Sequence, residues 1–311
     1  MTAIYAVLHF MVDGLCICAL YLLSGSMSFA PIATAFLLYN VLAFLTQPLT
    51  GMVSDRLKHR HWLLLTAMVL LALAVLITGT AHLLSSSTGM LAVATLLGLG
   101  NSLFHVWGGK QTAVETDNDI WSLGVFVSTG ALGLSVGALL CSWALLYVLL
   151  IGICVAGIVV VRNTKDQLTS ANVNSWRKTL RPIYIWTAVV VLIAIVAFRS
   201  WVGGVFTSDI VRTDLSLLGI GISAMLGKMA GGWISLRLGL VRAVAIMVAV
   251  VAGCLICMGD NTLARYVGLF AVNCTMPVTL YLANAILPGR EGLAFGLLAA
   301  ALMPAYLIVF L

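Results

Sequence analysis

Charge is what this 311-residue chain most lacks: Asp, Glu, Lys and Arg make up only 8% of it, where a soluble domain carries roughly 25%. So few charges cannot cover the surface of a water-soluble fold of this size. A cytosolic enzyme, a secreted domain and a disordered chain are therefore excluded. Enzyme signatures are missing too: there is no Walker A loop, no metal-spaced histidine cluster and no nucleophile elbow. Without a nucleotide-binding domain, primary active transport is not encoded, and no cofactor or metal is expected. The first 23 residues lack the basic start and small-residue cleavage site of a signal peptide. They hold His9 and Asp13 within an apolar run and read as a retained first span. Nor is there a basic stripe. The net charge of +6 sits in short clusters between apolar blocks, a pattern of membrane topology and not of nucleic-acid binding. The seven cysteines lie mostly inside apolar runs and read as small buried hydrophobes. That includes Cys254 and Cys257, whose CxxC spacing falls in mid-span.

What the chain has in quantity is apolar sequence: 62% hydrophobic residues and a mean hydropathy of +1.13. A bilayer-crossing helix needs about 20 apolar residues. Such blocks stand near 3–23, 28–53, 62–83, 89–109, 120–141, 143–161, 182–205, 214–236, 240–259, 263–285 and 291–311, which predicts eleven spans in an all-α integral membrane protein. Connections are short except for a polar linker over 163–181, which carries Lys165, Asp166, Arg177, Lys178 and Arg181 just after Arg162. It divides the chain into a six-helix lobe, 1–162, and a five-helix lobe, 182–311. Two equal halves need a twelfth span, so the expectation is a truncated twelve-helix protein or an eleven-span variant.

Orientation follows from the basic residues. With the N-terminus in the cytoplasm, Arg56, Lys58, Arg60, Lys110, the linker group, Arg237, Arg242 and Arg290 all fall inside, and only Arg212 and Arg265 fall outside. The expected location is the cell (inner, plasma) membrane, as a multi-pass monomer.

A weak internal repeat joins the halves. Span 2 ends Gln47-Pro48-Leu49-Thr50-Gly51-Met52-Val53-Ser54-Asp55-Arg56-Leu57, and span 8 ends Lys228-Met229-Ala230-Gly231-Gly232-Trp233-Ile234-Ser235-Leu236-Arg237-Leu238. With Gly51 on Gly232, Ser54 meets Ser235, Arg56 meets Arg237 and Leu57 meets Leu238. Parallel repeats of this kind occur in two-lobed secondary transporters. The stretch from Gly51 through Asp55, Arg56, Lys58 and Arg60 resembles the loop 2–3 signature of the major facilitator superfamily, with Lys58 where a second Gly usually stands. The copy at Gly232 and Arg237 has Leu236 in place of the acid. His9, Phe10 and Asp13 in span 1, Tyr39, Asn40, Gln47 and Pro48 in span 2, and Gly98, Gly100, Asn101, Phe104 and His105 in span 4 resemble the fosmidomycin-resistance branch of drug exporters. Val106-Trp107-Gly108-Gly109 and a span 5 without a Gly-Pro pair depart from it, as a sister group would.

The resemblance implies a two-lobed helical bundle with a midplane cavity, a small-molecule substrate and an acid, Asp55, that locks the cytoplasmic gate. Physically, a carboxylate there can cap the positive N-terminus of a neighbouring helix, and span 11 begins at that level after Pro288. Arg56, Lys58 and Arg60 serve first as topology determinants.

Asp13 is the sharpest candidate from the residues themselves. It lies about 15 Å into span 1, where a charged Asp costs about 2.5–3.5 kcal/mol on insertion scales. His9 is one turn earlier on the same face. The pair is a candidate for proton or substrate binding on the central cavity, or else a structural polar pair between helices. Lys228, about 13 Å from its helix end, is positioned to neutralise Asp13 or to meet an anionic substrate. Arg199, near the outer end of span 7, is a candidate for the substrate cavity or else snorkels outward. Asn101 and His105, four apart on span 4, and Asn40 and Gln47, seven apart on span 2, are candidate cavity lining. Asn273, before Pro277, reads first as a helix-break site and is also a candidate for the substrate cavity. The expectation is a proton-coupled secondary transporter exporting a small amphipathic or anionic compound. Nutrient uptake by the same fold, and a non-transporting relic or assembly partner, are its rivals.

Overall fold

A computed structural model describes residues 1–25, 28–57, 61–83, 85–164, 182–210, 213–259 and 261–303. Lys58, Arg60, Arg212, the linker beyond Thr164 and the last eight residues of the expected eleventh span lie outside these. Eleven helices account for nearly all of the described chain: α1 Thr2–Ser24, α2 Phe29–Arg56, α3 His61–Leu83, α4 Ser87–Glu115, α5 Ile120–Leu139, α6 Trp143–Asn163, α7 Pro182–Ser208, α8 Asp214–Leu238, α9 Leu240–Cys257, α10 Thr262–Ile286 and α11 Glu291–Ala300. The first ten are long and apolar enough to cross a membrane. The eleventh is described as ten residues only, shorter than the expected 291–311 span.

Helices are the natural outcome here, because hydrocarbon offers no partner for a free backbone N–H or C=O. Helix starts are set by local polar residues. Ser86, Asp119, Ser142, Thr213 and Asn261 each accept a hydrogen bond from the backbone N–H three residues on, capping α4, α5, α6, α8 and α10. Outward faces carry large apolar residues such as Val148, Val241 and Ile256, the surface expected against lipid.

Two departures from regular helix matter for the site. In α2 the α-helical segments Phe29–Asn40 and Gln47–Arg56 are joined by a π-helical turn, Val41–Leu45. Pro48 explains it: the ring has no N–H for the Phe44 carbonyl and crowds it, so the preceding turn widens. Thr46 Oγ1 and Gln47 Nε2 satisfy the Leu42 and Ala43 carbonyls at 2.5 and 2.7 Å. In α10 the expected break at Asn273 does not occur. The helix runs through Pro277, and Asn273 Nδ2 donates to the Leu269 carbonyl at 2.8 Å.

Within the first half, α1 packs on α4, α5 and α6, and α3 on α4 and α6. One continuous core of Tyr5, Leu15, Leu64, Phe104, Trp107 and Phe126 binds them. In the second half, α10 packs on α7, α8 and α9 through smaller clusters around Phe206 and Met247. The halves meet along α5 against α8 and along the end of α2 against α11. Both seams are made at glycine. A Cβ at Gly51 would overlap the Gly292 carbonyl, and one at Gly232 would come within 2.7 Å of the Ile120 carbonyl. The two repeat glycines thus do the same work, each letting its helix meet the start of a helix from the other half.

Candidate functional site

A cavity of about 580 Å³ lies between the halves, lined from both. Its wall reaches Tyr21 and Ala138 in the last turns of α1 and α5, and Leu217 in the first turn of α8. It therefore opens toward the ends of the helices farthest from Asp55. At the Asp55 end the halves close on one another. Phe295 of α11 sits over Gly109 and 6.1 Å, centroid to centroid, from Phe126.

The closure is built on Asp55. Its two carboxylate oxygens accept the backbone N–H groups of Gly292 and Leu293 at 3.0 and 2.9 Å. These belong to the first turn of α11, a helix without a side-chain cap of its own. A carboxylate on the positive end of a helix dipole is the favourable pairing. Lys110 Nζ lies 3.0 Å from Asp55 and donates to the Ser54 carbonyl at 2.7 Å. The second copy lacks this lock for a clear reason. Leu236 offers no acceptor, and the helix that Gly232 meets, α5, is capped by its own Asp119. Arg56 is exposed, and Arg237 lies over the Trp233 ring at 5.9 Å, so neither bridges the halves.

Deeper in, α1 and α4 bring three titratable side chains together. Asp13 accepts from Asn101 Nδ2 at 2.9 Å and lies 3.3 Å from His9 Nε2 and 3.5 Å from His105 Nε2. The two imidazole Nε2 atoms are 2.8 Å apart. Gly130 of α5 makes the space, since a Cβ there would overlap Asp13 and His9.

The proton count of this cluster is informative. His9 Nδ1 faces the Phe126 carbonyl at 2.7 Å and His105 Nδ1 faces the Asn101 carbonyl at 2.9 Å. A carbonyl oxygen only accepts, so each Nδ1 carries the hydrogen. Both Nε2 atoms then offer lone pairs, to each other and to a carboxylate. Three acceptors at these distances require a cation between them, and a proton on one imidazole is the smallest that serves. The same three ligand atoms lie within 4.8 Å of one another, so the donor set also has the spacing of a metal site. No sequence spacing announced it, because the residues come from two helices.

The remaining candidates fall as follows. Asn40, Gln47, Arg199, Lys228 and Asn273 all line the cavity with His9, Asp13, Asn101 and His105. Asn40 Nδ2 is turned back onto the Phe36 carbonyl of its own helix. Gln47 Oε1 is buried with no hydrogen-bond partner among the described residues. Arg199 does not snorkel outward: it is buried, facing the cavity. Lys228 makes no ion pair with Asp13, whose close partners are the two histidines and Asn101. Sequence reasoning took Lys110 for a topology charge. The signal missed was that the polar run Lys110–Glu115 continues the α4 helix and so carries Lys110 to the seam. Tyr39, Phe36, Phe44 and Phe295, which supply the aromatic wall, were also passed over as sites.

Compared by sequence, the chain matches no protein-family model and no curated protein. Solved structures do resemble it. The E. coli fucose:proton symporter FucP has a TM-score of 0.75 at 12% identity, covering 98% of this chain and 89% of that one. The human organic anion transporter MFSD10 (TETRAN) has 0.69 at 14%, covering 97% and 89%. A bacterial homologue of the iron transporter ferroportin, in an outward-facing state, has 0.61 at 16%, covering 100% and 91%. At these identities the likeness speaks for the fold: the chain is an all-α, multi-pass membrane protein with the two-lobed bundle of the major facilitator superfamily.

Proposed function

We propose that this protein is a secondary transporter that carries a small molecule across the cell membrane by alternating access, coupled to protons. The observation that carries the reading is the cavity between the halves, open at one end and locked at the other by Asp55 on the α11 N-terminus. A lock made of two backbone hydrogen bonds and one ion pair can be released as a unit, and that suits a rocking motion of two lobes, 1–162 and 182–311, about the central site. The Asp55 end is cytoplasmic by the basic-residue asymmetry, so the conformation described is outward-open. The protein works as a monomer.

Proton coupling runs through Asp13, His9 and His105. The support is the donor count: these groups need one cation, and α5, which packs on α8 of the other lobe, also makes room for them through Gly130. A change in how the lobes meet would therefore alter the proton's surroundings, which is the linkage that coupling requires. We read the direction as export, on the resemblance of the His9, Asp13, Asn101 and His105 stretches to an exporter branch. Import by proton symport is the second reading, favoured by the likeness to the fucose:proton symporter.

The test is a thermal-shift screen of candidate substrates on purified protein, followed by flux into proteoliposomes under an imposed pH gradient. A ligand that stabilises the fold and then moves only when the gradient is present supports the proposal, and the sign of the effective gradient separates export from import. Specific binding without any flux would instead favour a membrane protein that does not transport.

A further inference from the structure

The cavity wall carries more positive charge than it neutralises. Three side chains of fixed formal charge line it: Asp13, Arg199 and Lys228. Asp13 is already satisfied by Asn101, His9 and His105. Arg199, on α7, is 8% exposed, and its Nη1 is buried with no hydrogen-bond partner among the described residues. Neither it nor Lys228, on α8, has an ion pair or hydrogen bond there. Both cations line the same cavity as Asp13, which belongs to the other lobe. Two cations against one carboxylate leave one net positive charge, or two when a proton sits on the histidine pair. Unpaired cations at this depth are costly and are kept where they meet a partner. The rest of the wall is largely apolar, with Phe36 and Phe44 from the first half and Leu217, Ile220 and Phe295 from the second.

We propose that the cavity binds an amphipathic organic anion. Its carboxylate or phosphonate head pairs with Arg199 and Lys228, and its apolar body lies against the aromatic wall. Arginine offers a planar fork that takes two oxygens of an acid group, and lysine adds a point charge. A volume of about 580 Å³ falls within the range of small-molecule sites. That this anion is the transported substrate rests on the transporter reading above; that it binds does not.

The experiment titrates the full-length protein in nanodiscs with four probes sharing one aromatic body: benzoate, phenylphosphonate, benzamide and benzyltrimethylammonium. The expected result is saturable binding of both anions, about tenfold or more tighter than benzamide, with no binding of the cation. Arg199→Gln and Lys228→Gln should each weaken the anions by about tenfold and leave benzamide unchanged. Arg199→Lys and Lys228→Arg, which keep the charge, should retain part of the anion preference, and this controls for loss of fold. Equal binding of benzoate and benzamide, preference for the cation, anion binding untouched in both Gln variants, or no saturable anion binding would each overturn the proposal. Counterflow of radiolabelled benzoate in proteoliposomes is scored separately. Binding without counterflow would sink the transporter reading and leave the anion site standing.

Discussion

Asp55 is held by Lys110 and a helix N-terminus, Asp13 by Asn101 and a histidine pair sharing one proton, and their expected variants differ because these partners do. Asp55→Asn keeps one acceptor oxygen but removes the carboxylate charge that Lys110 and the α11 N-terminus share. Removing one partner of a buried pair costs about 3–5 kcal/mol, more than a hundredfold in the balance between the two states. The expected outcome is a protein that inserts and folds but cycles poorly, with the Asp55 end no longer held closed. Normal turnover in a flux assay would contradict the gating role. Asp13→Asn removes the charge that holds the histidine proton. Accumulation driven by a pH gradient should vanish while substrate exchange persists, as read by comparing the two in the same vesicles. If accumulation is unchanged, Asp13 is structural. The sequence made Asp13, His9 and His105 visible as polar residues in apolar runs. What it could not show is that the two imidazoles would present lone pairs to one another, since that depends on the carbonyls of Phe126 and Asn101, which belong to different helices.

Helices were the most legible level, because hydropathy reports the solvent directly. Ten expected spans correspond to long apolar helices, with ends shifted by a few residues. The largest shift is in α4, expected to stop at 109 but helical to Glu115, because a helix does not need lipid once its side chains find polar partners, as Gln111 does with Glu115. The π-helical turn in α2 was not foreseen, and the break expected in α10 is absent. Proline removes one hydrogen bond in each, and whether the backbone widens or tolerates the loss depends on neighbours invisible to spacing. The glycine seam of α2 and α11 gives a test at this scale. Gly51→Val places atoms where the Gly292 backbone stands, so the Asp55 end should open. A cysteine at position 47, buried in the closed form, should react faster with a thiol reagent applied from that side, in a background stripped of the native cysteines. Unchanged labelling would mean that the seam does not control access.

At the scale of the whole molecule the account turns on orientation and on motion between lobes. A reporter enzyme active only outside the cytoplasm should be silent when fused after Asn163 and active when fused after Ser208. The reverse pattern would invert the assignment of the locked end. The most direct test of alternating access is a pair of distances measured by electron spin resonance. One pair of labels, at Phe29 and Leu215, spans the lobes at the open mouth; the other, at Asn163 and Leu238, spans them at the locked end. As pH is varied, two populations should appear at each end. The mouth should close in the same fraction of molecules in which the locked end opens. A single unchanging distance at both ends, or two ends that open and close together, would contradict the account.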